Sequence, residues 1–135
     1  MPSSNEIVNT MMNGDLLSQW LGISVLEIGE GTCKIQLTVR KEMVNGFGIA
    51  HGGITYCLSD SALAFASNSR GSQAVSIETS ISHTAKVCVG DVLTAEAKEQ
   101  SRSNKVGFYE VIVKNQENKI VSLFKGTVFI TEKNW

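Results

Sequence analysis

The polar and apolar positions of this chain change period several times. Over the first 20 residues Ile7, Met11 and Met12 share a helical face, and "DLLSQWLG" follows an Asn-Gly break, which predicts one or two short helices. From Ile23 to Val39 the period falls to two: "ISVLEI", the turn "GEGT" and "CKIQLTV" predict a hairpin. Residues 40–50, with glycines at 46 and 48, read as loop. From Gly52 to Ser69 the pattern is helical, and Ile54, Cys57, Leu58, Ser61, Ala62 and Phe65 form the expected core stripe. Tyr56 and Leu63 lie on the other side, so the helix is apolar or small nearly all round, as a helix covered on most sides reads.

The rest alternates as strands. "QAVSIETSISH" sets Val75, Ile77, Thr79 and Ile81 on one face against Ser76, Glu78, Ser80 and Ser82 on the other. "GDVLTAEAKEQSRS", "KVGFYEVIVKNQ" and "NKIVSLFKGTVFITEK" follow, separated by turn residues. The order β-β-α-β-β-β-β, behind an N-terminal helical segment over 1–20, predicts an α+β fold: an antiparallel sheet wrapped around one long central helix. With 135 residues, a single proline at position 2, no repeat and no linker, residues 1–135 read as one domain.

Composition removes several functions. The chain is 42% hydrophobic and 19% charged with a net charge of −1, so bulk electrostatics offers nothing to nucleic acid or to an anionic membrane. Three cysteines (Cys33, Cys57, Cys88) and two histidines (His51, His83) have no metal-ligand spacing and form no disulfide framework. The N-terminus lacks the basic start and apolar run of a signal peptide, and segment 52–69 is too polar for a lone membrane span; the expected location is cytoplasmic.

Within this apolar helix stands one ionisable side chain, Asp60, on the side shared with Tyr56, Leu63 and Ser67. That side is expected to pack on something other than water, a second subunit, which would raise the carboxyl pKa. Just upstream, "AHGG" falls where loop becomes helix. A helix N-terminus presents N–H groups with no intrahelical partner, and glycine there lets a carbonyl come close, the arrangement an acyl-transfer oxyanion needs. His51 is a candidate orienting donor. Glu78 is a rival acid on the expected face of Ser76, and a Cys57–His51 hydrolase is disfavoured because Cys57 sits on the core stripe.

Together, "NGFGIAHGGITYCLSDSALAFASNS", "GDVLTAEAKE" and "NKIVSLFKGT" resemble the hotdog-fold acyl-CoA thioesterases, most of all their phenylacetate-degradation (PaaI) branch, from about Leu16 to Ile130. The resemblance implies Asp60 as nucleophile or general base and the Gly52 N–H as the donor that polarises the thioester. It also implies His51 fixing that loop, Asn45 orienting thioester or water, and Ser76 near the water. Asp60 and the Gly52 loop would come from different subunits of a homodimer, with two dimers forming a homotetramer. Gly53 and Tyr56 are candidate substrate contacts; Arg70, Lys86, Arg102 and Lys105 are candidates for the coenzyme A phosphates. No metal and no cofactor is implied beyond coenzyme A as part of the substrate. His83 departs from the family, whose members usually carry an aromatic residue there and a proline soon after. An acyl hydratase is an alternative on this fold, but its Pro-Gly pair before the helix is absent; a non-catalytic acyl-CoA sensor is another, against which Asp60 argues.

Overall fold

The computed structural model describes all residues from Met1 to Trp135. Two short helices, α1 (Ser4–Gly14) and α2 (Leu16–Leu21), open the chain. Ser3 caps α1 by accepting from the Glu6 N–H, and Asp15 caps α2 by accepting from Ser18, which separates the two at the Asn-Gly break. The hairpin follows as β1 (Ser24–Gly29) and β2 (Thr32–Thr38), then the long helix α3 (Gly52–Asn68) and four strands: β3 (Ser72–His83), β4 (Val92–Arg102), β5 (Val106–Lys114) and β6 (Ile120–Asn134). Within the predicted loop lie a single 3-10 turn at Lys41–Met43 and a bridge between Val44 and Ala50.

All six strands form one antiparallel sheet in the order β1-β2-β4-β5-β6-β3, and α3 packs on its inner face. The inner positions of β2, β4, β5 and β6 (Ile35, Leu93, Ala95, Val111, Val128 among them) bury the helix residues Leu58, Ala62 and Phe65. Each fully buried side chain of this size is worth roughly 1.5–3 kcal/mol in area terms. No helix is long and apolar enough to cross a membrane.

Two expectations change. The helix stripe is rotated: Ile54, Cys57 and Ser61 are only half-buried, while Thr55, Ser59, Leu63 and Ala66 are buried. On the side of the helix that carries Asp60, Leu63 and Ser67 are buried within the chain, while Tyr56 and Asp60 are half-buried. Leu63 lies so close to β6 that a Cβ on Gly126 would come within 2.6 Å of it, so a side chain there would displace the leucine. Tyr56 donates or accepts at Thr79 (2.6 Å) and meets Phe124 edge-on at 5.6 Å.

The second change is in β3. Its register on β6 slips between Ser76 and Glu78, a β-bulge that makes Ile77 an extra residue. Before the bulge Ala74 and Ser76 pair with the buried Ile130 and Val128, so they face the helix and Val75 turns outward; after it Thr79 and Ile81 face inward. Strict alternation therefore fails, and Val75 and Ile77 stand 56% and 60% exposed. Ser76 and Glu78 do not share a face as expected; Glu78 pairs with Thr127 on the outer side.

Candidate active site

Five consecutive backbone N–H groups lead into α3, and four are committed. Ala50 donates to the Val87 carbonyl (2.7 Å), His51 to Met43 (2.8 Å) and Ile54 to the His51 carbonyl (2.9 Å). Gly53 donates to Nδ1 of His51 (3.0 Å), so His51 is the helix cap. Only the Gly52 N–H has no partner in the chain, at the positive end of a helix of 17 residues. The spacing His-Gly-Gly produces this: the side chain of the first residue satisfies the third and leaves the second free.

Neighbouring groups hold the same peptide from the other side. Thr55 Oγ1 donates to the Gly52 carbonyl at 3.1 Å and lies 3.2 Å from Nδ1 of His83, at the end of β3. Asn45 Oδ1 accepts from the Phe47 N–H (2.9 Å), and its amide nitrogen has no partner in the chain. Asn45, His51, Gly52, Thr55, His83 and Lys86 line one cavity of about 380 Å³.

Asp60 opens on a different cavity, of about 260 Å³, walled by Leu63, Ala64, Ser67, Val128 and the Ser76 that the bulge turns inward. Its carboxylate has no ion pair and no hydrogen bond in the chain. Burial, and behind it the charge of Asp15, push Asp60 above the ordinary aspartate range. A half-buried carboxylate with a raised pKa holds a proton readily and is a competent base, as hydrolysis requires. It cannot serve the Gly52 of its own helix. Eight residues separate them, about 12 Å along the axis, too far for both to touch one carbonyl group.

The thioesterase superfamily model matches residues 47–122, more than half of the chain, a stretch that includes both Gly52 and Asp60. The chain belongs to the thioesterase superfamily. A putative esterase of Archaeoglobus fulgidus is 43% identical over 88% of this chain and 77% of its own length. The acyl-coenzyme A thioesterase PaaI of Escherichia coli is 35% identical over 87% of this chain and 84% of its own length. The solved structure of E. coli PaaI, from that organism's phenylacetic acid degradation operon, superimposes with a TM-score of 0.95 over 97% of this chain and 95% of that one, at 31% identity. A Streptococcus mutans protein solved bound to acetyl CoA superimposes at 0.81, with 26% identity over 84% of this chain and 91% of that one. The fold is thus the hotdog fold, and this superfamily member is a thioester hydrolase of PaaI-like type.

Other candidate residues of this thioesterase fall in three places. Lys86 lies in the Gly52 cavity, whereas Arg102 and Lys105 line a groove with Lys133 at the far end of the sheet. Arg70 is engaged elsewhere: Nε and Nη2 each meet the Glu99 carboxylate at 2.8 Å, a two-pronged pair that holds Glu99 below the usual carboxylate range. Tyr56 lines neither cavity and fastens the helix to the sheet. Glu78 lies on the outer face with Phe108 and Lys125, away from Asp60. Burial and then Asp60 push the Cys57 thiol up, the wrong direction for a thiolate nucleophile.

Thr55 is the site residue that the sequence reading did not single out. A threonine three residues after Gly52 has the spacing to bond back to that carbonyl, which is the signal it carried.

Proposed function

We propose that this protein hydrolyses acyl-CoA thioesters in the cytoplasm, as a homodimer whose sites each draw on both chains. The observation that carries the reading is the single unbonded N–H at Gly52, in a run where every neighbour is taken. A thioester carbonyl oxygen placed there would receive that N–H and the helix-end charge as its own negative charge develops. Asn45 and His51 would orient the thioester or water. Asp60 of the other chain, with Ser76 beside the water, would attack the carbonyl carbon or take a proton from attacking water. Collapse of the tetrahedral intermediate breaks the C–S bond; coenzyme A leaves as the thiol and a carboxylic acid remains. The reaction as proposed uses only these groups and water, with coenzyme A entering as part of the substrate.

The position of β3 supports the dimer. It stands at the edge of the sheet, paired with β6 on one side only, and such an edge is a template for another strand. The Asp60–Ser76 cavity lies near its start and the Gly52–His83 cavity at its end. Antiparallel pairing of two β3 strands would bring the start of one beside the end of the other, joining acid and donor. The outer sheet face, with Phe108, Leu123 and Phe129 exposed, would let two dimers pair as a tetramer. Aryl-acetyl groups are the first acyl chains to offer, by analogy with the PaaI relative.

The test is thiol release from a panel of acyl-CoAs by wild type and Asp60→Asn, at matched folding and oligomeric state. Turnover by wild type, with a loss of about two to four orders of magnitude in the variant, supports the reading. Binding of acyl-CoA without thiol release by either protein would replace it with the sensor.

A further inference from the structure

We propose that His83 is a positioning residue for the Gly52 donor, acting through Thr55; the kinetic consequence rests on the thioesterase reading above. The 52–53 peptide is gripped on both of its polar groups. Its N–H, on Gly53, is held by His51 Nδ1 at 3.0 Å, and its carbonyl, on Gly52, by Thr55 Oγ1 at 3.1 Å. The Thr55 hydroxyl has one hydrogen and spends it on that carbonyl, so the 3.2 Å contact with His83 requires the hydrogen to come from Nδ1 of the ring. The Nε2 edge of the same ring comes close to the glycine: a Cβ on Gly52 would stand 3.1 Å from His83 Nε2. His83 therefore fixes Gly52 in two ways, by a relay of hydrogen bonds to its carbonyl and by occupying the space a side chain there would need. With the peptide that follows locked, the Gly52 N–H has one direction left. This is where the chain carries histidine in the family's usual aromatic position: the ring is kept, and a donor is added at its inner edge.

The two histidines then hold opposite tautomers. His51 accepts at Nδ1 and, when neutral, carries its hydrogen on Nε2; His83 donates at Nδ1 and carries it there. They are the only histidines in the chain, so a nitrogen-15 spectrum of the imidazoles contains two rings and no others.

The experiment combines that spectrum, recorded well above the ordinary histidine titration range, with acyl-CoA kinetics on Thr55→Val, His83→Phe and His83→Asn. The expected spectrum shows one ring of each tautomer in wild type, and in Thr55→Val the His83 signal moves to the Nε2–H form. Expected kinetics are a drop in kcat of about tenfold for both Thr55→Val and His83→Phe, with KM within about twofold. The double variant would be no slower than either single, because both cut one relay. His83→Asn, whose amide nitrogen takes the place of Nδ1, would recover most of the rate. A wild-type spectrum with both rings in the Nε2–H form overturns the relay, as do additive losses in the double variant. A rise in KM at constant kcat also overturns it and makes His83 a substrate contact. The spectrum tests the relay even in a protein that turns over no acyl-CoA, so failure of the relay and failure of the thioesterase reading are told apart.

Discussion

The first turn of α3 and its middle are built on opposite principles. At the first turn nearly every polar group is satisfied: four of five N–H groups, the Gly52 carbonyl, the Thr55 hydroxyl and one nitrogen of each histidine have partners. Two turns on, Asp60 is half-buried with none. The first region holds a weak dipole in one direction; the second keeps a carboxyl group poorly solvated, the state that the proposed base needs. A donor works by being aimed, which hydrogen bonds improve, whereas a base works by being incompletely satisfied, which hydrogen bonds would spoil. In the proposed reaction one helix provides both, because two turns and, in the proposed assembly, two chains lie between them.

The sharpest way to break this contrast is to disturb the aimed end. Gly52→Ala keeps the N–H but drives a methyl group to 3.1 Å from the His83 ring, which must move. We expect kcat/KM to fall by roughly ten- to a hundredfold, since a small misplacement of the donor is enough. Added to His83→Ala, which makes room, the same substitution would cost little further; steady-state kinetics on the four proteins checks this, and equal losses in both backgrounds would show that the ring is not the obstacle.

At the reactive end the expected effect is on stability, and its sign is opposite. The native state holds the Asp60 proton more tightly than the unfolded chain does, so ionising it opposes folding. The penalty is absent below the ordinary aspartate range, grows as pH rises through the raised native pKa and is complete above it. Asp60→Asn should therefore melt higher than wild type at neutral pH and lose that advantage in acid, the reverse of what removal of a satisfied carboxylate does. Thermal melts across pH decide it; a variant less stable than wild type at neutral pH would place Asp60 among the satisfied groups.

The smallest change is expected at Ser76. If its hydroxyl only steadies water beside Asp60, Ser76→Ala costs one hydrogen bond, about 1 kcal/mol or roughly fivefold in kcat. A loss as large as that of Asp60→Asn would make the serine a direct participant in the reaction.

What the sequence displayed was whatever depends on near neighbours. The helices at 4–21, the hairpin and α3 all follow from periodicity, and His51, Gly52 and Asn45 sit in one short stretch whose spacing carries its own geometry. Hidden features needed distant partners. Arg70 read as a free cation because Glu99 is 29 positions away, and Thr55 as an ordinary helix residue because His83 is 28 positions away. The bulge in β3 left no mark either, since Val75, Ile77, Thr79 and Ile81 alternate without fault and only the pairing with β6 shows the slip.

That slip works as a frame-shift within a strand. Were β3 to pair with β6 without the slip, the strand residues before Ile77 would reverse their faces: Val75 would turn toward the helix and Ser76 would leave the Asp60 cavity for the outer surface. The regular strand would be the better amphipathic design, with fewer apolar side chains in water, and in the proposed reaction the poorer catalyst. A slip of one residue in the pairing thus separates a wall of the Asp60 cavity from an ordinary piece of scaffold.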